Sequence, residues 1–382
     1  MQIYLDHNAT SPMQAGVLEA IMPFLRQPVG NASSLHSMGR MARSAVETAR
    51  GQVAEMVNSS VDSVIFTSGG TEANTLLLTG FVDVDDSRPI VSTEIEHASI
   101  LKPLKQLEQS GCRVIRLKPN SDGQIDLEAA QSILQEESPQ ILSVVLANNE
   151  TGVIQPVSEL GKLTHAENCL IHTDAIQAVG KIPVDMAQLG VDALTISGHK
   201  LRGPQGIGAL IVNKIPKNVL ISGGEQESNR RAGTENVAMI VGLGKAAQIA
   251  MLEMQQKRHH LIQLREVLET RLLAIPGVEI FGREVERLPN TTYFSLPYYH
   301  GETLLMELDR AGFALASGSA CHSEVTNPSH VLIAMGVDDN LALNAVRVSF
   351  ASSNTLQDVD ALVTKLQELI NKLPAVMRQA AV

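Results

Sequence analysis

The chain has 382 residues, 44% hydrophobic and 19% charged, and a formal net charge of −11 from 30 basic and 41 acidic side chains. That length exceeds what one core usually supports and points to two domains of ordinary globular composition. The acidic balance argues against phosphate-backbone binding as the main business, and no apolar run approaches the length of a membrane span.

Three widely spaced cysteines, Cys112, Cys169 and Cys321, form neither a disulfide framework nor a zinc spacing, and fit a reducing cytosol. The N-terminal MQIYLDHNATSP has neither the basic nor the apolar region of a signal peptide. A cytoplasmic protein with no membrane partner, no direct nucleic-acid binding and no metal site is expected.

From about Val61, short apolar runs alternate with amphipathic stretches. The runs are 63–68, 89–93, 113–117, 141–147, 169–173, 192–197 and 208–212. Strands that are apolar throughout and alternate with helices predict an α/β fold with a mainly parallel seven-stranded sheet covered on both faces. Ligands in such sheets sit at the carboxyl ends of the strands, so those ends carry the candidates.

After the first run, SGGTEAN places Gly70 and Thr71 where a glycine turn opens a helix, a favourable anion site. An ordinary turn with a threonine cap is the alternative. His97, past the second run in TEIEHA, could stack on a flat cofactor and exchange protons, or simply cap a helix. Asn149, in NNETG, suits either a turn or a substrate carboxylate. Asp174 and Gln177, three residues apart in HTDAIQ, can address one ligand, and a buried aspartate would keep a pyridine nitrogen protonated. Asp174 could equally be a helix cap.

Lys200 closes TISGHK at the end of an apolar run. A lysine there is either a solvated strand end or a desolvated amine with a lowered pKa, the form that condenses with carbonyls. Ser197 and His199 beside it suit an anion. A nucleophilic amine next to an anion site points to an aldehyde-bearing phosphate, of which pyridoxal phosphate is the commonest.

A long helical run, 235–275, precedes a change of character. Strands at 276–280, 291–296 and 345–350, with helices at 301–311 and from 356 to about 373, predict a smaller α+β domain. The expected division is 15–255 for the large domain, with 1–14 and 256–382 forming the small one. Arg347, inside an apolar strand, either faces inward with a carboxylate partner or lies outward on an edge. Cys321, in the small-residue run ASGSACHS, is a candidate nucleophile.

Taken together, SGGTEAN, EIEHASI, NNETG, HTDAIQAVG, SGHK, RAGTENV and SGSAC, in that order, strongly resemble the cysteine desulfurases of the NifS/IscS type. These are pyridoxal-phosphate enzymes of aminotransferase class V. The likeness runs from Tyr4 to Arg347. It implies a homodimeric fold-type I enzyme that converts L-cysteine to L-alanine and passes sulfur, held as a persulfide, to an acceptor protein for iron–sulfur or other thio-biosynthesis. A selenocysteine lyase, another class V enzyme, or a desulfurase dedicated to tRNA or DNA modification is the alternative.

The resemblance also implies roles. Lys200 would hold the cofactor aldehyde and move the α-proton, Asp174 would pair with the ring nitrogen, Gln177 with the ring oxygen, and His97 would stack over the ring. Gly70, Thr71, Ser197 and His199 would bind phosphate, with Thr234 reaching in from the second subunit. Asn149 and Arg347 would hold the cysteine carboxylate, and Cys321 would take the sulfur. The segment Gly223–Asn229, Ala32 and Ala351–Ser353 depart from the usual pattern. These departures bear on the sulfur acceptor rather than on the catalytic set.

Overall fold

In the computed structural model the described residues are 2–26, 30–297, 299–318 and 327–373. Among them the strands run β1 (Ile3–Tyr4), β2 (Val64–Thr67), β3 (Ile90–Thr93), β4 (Val114–Leu117), β5 (Ile141–Val145), β6 (Leu170–Asp174), β7 (Ala193–Ser197), β8 (Gly208–Val212), β9 (Glu279–Ile280), β10 (Thr291–Ser295), β11 (Phe313–Ala314), β12 (Ala316–Ser317) and β13 (Ala345–Ser349).

Every one of the seven apolar runs falls in one sheet, ordered β2-β8-β7-β6-β5-β3-β4. Pairing is parallel from β4 through β7, whereas β8 is antiparallel to both β7 and β2. The connection from β7 to β8, residues 198–207, is shorter than a helical crossover needs, so the chain turns back on itself. Alternate residues of each strand feed opposite faces. Phe66, Leu194 and Ile211 enter one core, while Ile65, Ala193 and Leu210 enter the other.

The helices on one face, Gly70–Phe81 and Ala98–Gln109, bury Leu76, Leu77, Ile100 and Leu104. Two helices before the sheet, Ala15–Arg26 and Ser37–Met56, cover the opposite face, and the apolar runs gave no sign of them. The second has Ala42, Val46, Ala49 and Val53 along one side, the spacing of a buried helical stripe. Charged and polar residues such as Arg43, Ser44, Glu47 and Thr48 stand between them, so the stripe never forms a continuous apolar run.

Both pack on a 37-residue helix, Val237–Leu273. By length and composition this helix could cross a membrane, which a search for continuous apolar runs overlooks. Here its first part, with Ile240, Leu243 and Ala247, enters the sheet core. Its last part, with Leu264, Leu268 and Leu272, enters a separate core. That second core contains Leu5, Phe294, Leu308, Val346, Val348 and Leu362. It is built on the antiparallel sheet β12-β13-β10-β9 and the parallel pair β1-β11. Val346 and Val348 point into this core, so the alternation of β13 sends Arg347 to the other side.

Candidate active site

A cavity of about 660 Å³ opens at the carboxyl ends of β5, β6 and β7 and is closed on the far side by β12 and β13. Gly70, Thr71, His97, Asn149, Asp174, Gln177, Ser197, His199, Lys200 and Arg347 all line it. Thr234 does not: it lines a separate cavity of about 140 Å³ with Phe66, Ser68 and Arg231. Cys321 lies outside the described residues.

Lys200 ends a short 3-10 turn, Gly198–Lys200, directly after β7. Its Nζ donates to the carbonyls of Asn8 and Ala9, both at 2.5 Å. Burial, and then the Arg347 charge, pull its pKa down to about 8 from 10.5. A substantial fraction of neutral amine is therefore present near neutral pH, which a solvated strand end would not show. His199 contacts Thr10 Oγ1 through Nδ1 at 3.2 Å. Burial and the Lys200 charge push it down to about 4, so the ring is neutral at pH 7.

Asp174, the last residue of β6, is buried. Oδ1 accepts from the backbone N–H of Ile176 at 3.0 Å, and Oδ2 from Asn74 Nδ2 at 2.8 Å. Burial raises its pKa, against the attraction of His97 and Lys200. No lysine or arginine forms an ion pair with it among the described residues, so its charge lacks a cationic complement within contact.

Asn74 also donates to Ser99 Oγ at 2.9 Å, and Ser99 contacts His97 Nδ1 through both its hydroxyl, at 2.8 Å, and its backbone N–H, at 3.1 Å. His97 Nδ1 is therefore an acceptor, and the neutral ring carries its proton on Nε2. The chain Asp174–Asn74–Ser99–His97 links the two cavity groups. Sequence reading stopped at Thr71 in SGGTEAN; Asn74, one helical turn further on the same face, was the available signal.

On the opposite wall, Arg347 faces inward and finds the carboxylate that such a position requires: Asp6 Oδ1 at 2.6 Å. It also donates to the Asn149 carbonyl at 2.9 Å. Asn8 ties the walls together. Its carbonyl accepts from Lys200 and from Gln177 Nε2, and its Nδ2 donates to the Asn149 carbonyl at 3.2 Å. Its backbone N–H donates to Ser349 Oγ at 2.9 Å. Nothing in the N-terminal sequence marks Asn8 except its place in a polar run directly after β1.

Pyridoxal phosphate fits these residues. The N-terminus of the helix Gly70–Phe81, with Ser197 and a neutral His199 beside it, offers hydrogen-bond donors to a phosphate. A Cβ on Gly70 would overlap the tip of the Ile176 side chain, which would have to shift to admit it. The buried Asp174 carboxylate would complement a protonated ring nitrogen, and Lys200 presents an amine to an aldehyde.

The sequence matches the aminotransferase class-V family over residues 3–362. It is 40% identical to a protein named cysteine desulfurase IscS from Dictyoglomus turgidum, covering 97% of this chain and 95% of that one. It is 42% identical to a cysteine desulfurase of a Nostoc species, covering 98% and 94%. Among solved structures, a NifS-like protein superposes with a TM-score of 0.91 at 35% identity, over 98% of this chain and all of the other.

Proposed function

The chain belongs to the aminotransferase class-V family and is a pyridoxal-phosphate-dependent cysteine desulfurase; we propose that it converts L-cysteine to L-alanine and passes the sulfur, as a persulfide of Cys321, to an acceptor protein. The observation that carries this reading is the single cavity in which a depressed-pKa lysine, an unpaired buried aspartate and an inward arginine converge. Bound there, pyridoxal phosphate supplies a covalent handle for the substrate amine and a ring that takes up electrons when the α-proton leaves.

The chain's own residues do the rest. Lys200 Nζ holds the cofactor at rest and then takes and returns the substrate proton. Asp174 would hold the protonated ring nitrogen, Gln177 would donate to the ring oxygen, and His97 would lie beside the ring. Gly70, Thr71, Ser197 and His199 hold the phosphate. Arg347 and Asn149 orient the cysteine carboxylate. The Cys321 thiolate attacks the substrate sulfur: an S–S bond forms and the substrate C–S bond breaks. The electron pair of that bond stays with the three-carbon fragment, which takes up a proton and leaves as alanine.

The two described cysteines are unsuited to this attack. Burial raises the pKa of Cys112, and pushes that of Cys169 up to about 12. Thr234, remote from its own chain's cavity, supports a homodimer in which it completes the partner's phosphate site. Exposed apolar side chains such as Leu35, Met41 and Ile215 are consistent with such a partner surface. The separate core around Leu5, Phe294 and Leu362 supports a division into 15–255 against 1–14 with 256–382. The free buried thiols support a reducing, cytoplasmic setting, and iron–sulfur assembly or another thio-biosynthesis is the proposed destination of the sulfur.

The test is direct. The purified protein should absorb visible light and, with a thiol reductant, release equimolar alanine and sulfide from cysteine. Cys321→Ala should keep the absorbance and lose sulfide release; full activity in that variant would sink the persulfide route. Labelled sulfur traced from Cys321 to a protein in extract identifies the acceptor.

A further inference from the structure

Lys181 has no part in the roles given so far, yet it is placed among them. It lies four residues beyond Gln177 in the turns that follow β6, and its Nζ donates to Gln177 Oε1 at 2.7 Å and to Asn8 Oδ1 at 3.0 Å. No carboxylate pairs with it among the described residues. The charges that reach it, Lys200 and Arg347, are both positive. Burial and these two charges hold its pKa well below the ordinary lysine range, and what fixes the amine in place is its pair of hydrogen bonds.

Its partners show what the amine does. An amide side chain has two orientations, related by a flip that exchanges its oxygen and nitrogen, and only hydrogen-bonding neighbours distinguish them. Gln177 Nε2 faces the Asn8 carbonyl at 2.9 Å, a group that only accepts. Gln177 Oε1 faces Lys181 Nζ and accepts its N–H. In the flipped state oxygen would meet oxygen and N–H would meet N–H. Both ends of the amide therefore specify the same orientation, and one Nε2 hydrogen is left over on a residue that lines the cavity.

We propose that Lys181 is a positioning residue: by holding Gln177 Oε1 it commits the remaining Gln177 N–H to the ring oxygen of the cofactor. Asn8 completes the device, since its side chain receives Lys181 and its carbonyl receives both Gln177 and Lys200. Asn290 Nδ2 holds Asn8 Oδ1 from the other side at 3.1 Å and fixes that amide in turn. The proposal rests on the pyridoxal phosphate reading given above.

The experiment is a double-mutant cycle on affinity for pyridoxal phosphate, measured by equilibrium reconstitution of the stripped protein, together with the absorbance maximum of the reconstituted enzyme. Gln177→Ala should weaken binding about tenfold, the scale of one well-made hydrogen bond to a charged or polarised group. Lys181→Met should weaken it roughly three- to tenfold and shift the absorbance maximum in the same sense as Gln177→Ala. Lys181→Arg, which keeps the donor, should restore both. In the Gln177→Ala background, Lys181→Met should have no further effect.

Three results overturn the proposal: full affinity in Lys181→Met, an equal loss in both backgrounds, or no rescue by arginine in a protein that melts like the parent. A parent protein that binds no pyridoxal phosphate at all would instead refute the cofactor reading, so the two failures are distinct.

Discussion

A buried carboxylic acid stands behind each wall of the cavity, and the two are used differently. Glu96, next to His97, accepts through Oε1 from Thr93 Oγ1 and from the backbone N–H of Val145, both at 2.8 Å. It joins the ends of β3 and β5, neighbours in one sheet, and burial pushes its pKa up to about 8. Glu150, next to Asn149, reaches across to the other architecture. It accepts from the hydroxyl of Ser329, which caps the helix His330–Ala334, and it packs against the Gly318 backbone. Burial raises its pKa as well. One acid braces a wall that strand pairing already defines. The other ties the turn after β5 to Gly318 and Ser329, segments with which β5 itself makes no strand pairing. The wall at His97 thus stands on strand pairing within the sheet, whereas Gly318 and Ser329 meet the Asn149 wall through side-chain contacts.

The contrast can be broken at several points. The largest effect belongs to the sheet side: Lys200→Ala should cut alanine formation by about a thousandfold or more and abolish covalent cofactor retention, seen in absorbance after denaturation. Asp6→Ala leaves the Arg347 guanidinium buried without its carboxylate, and should cost roughly 3 kcal/mol in denaturant unfolding while raising the KM for cysteine. A parent-like unfolding midpoint would show that the pair is dispensable.

Glu96 makes a pH signature. Its folded pKa lies above the ordinary value of 4.5, so the folded state binds more protons than the unfolded one between pH 4.5 and about 8. Its contribution is complete below that window and is lost as pH rises through it. Glu96→Gln should flatten this decline, a change on the order of 5 kcal/mol across the window at most. An unchanged slope would exclude Glu96 as its source.

Two smaller effects probe the other wall. Gly318→Ala places a methyl against the Tyr293 hydroxyl and the Glu150 carboxylate, closer than carbon can approach. It should cost about 1–3 kcal/mol and lower sulfide release more than cofactor binding. Glu150→Gln is the mildest. Burial favours its neutral form, so an amide should replace it at less than about 1 kcal/mol; a loss several times larger would show that Glu150 works as a carboxylate.

Much of this arrangement was legible in the residues. The seven strands declare themselves because each is apolar throughout, and Asp174 and Lys200 stand out as polar groups ending such runs. The antiparallel course of β8 is less visible, since it depends on the length and conformation of the turn at 198–207 rather than on the strand itself. Arg347 read equally well inward or outward until Asp6, far away in the chain, supplied its partner. Asn74, Asn8, Glu150 and Lys181 all lie within the recognisable motifs or beside them. Their neighbours drew the attention, because what gives these residues meaning is contact across long stretches of chain.

Asn8 carries a consequence for biosynthesis. Its contacts reach Lys200, Thr291 and Ser349, the last 341 positions away. On the ribosome neither the pocket nor the whole of the sheet core, which includes Tyr293, Val331 and Ala345, can be complete while the C-terminal strands are still in the exit tunnel. Until Thr291 and Ser349 emerge, Asn8 lacks the anchors that set its carbonyl against Lys200, and Arg347 is not yet there to face it. The complete pocket therefore requires nearly the whole polypeptide, its first residues and its last strands alike.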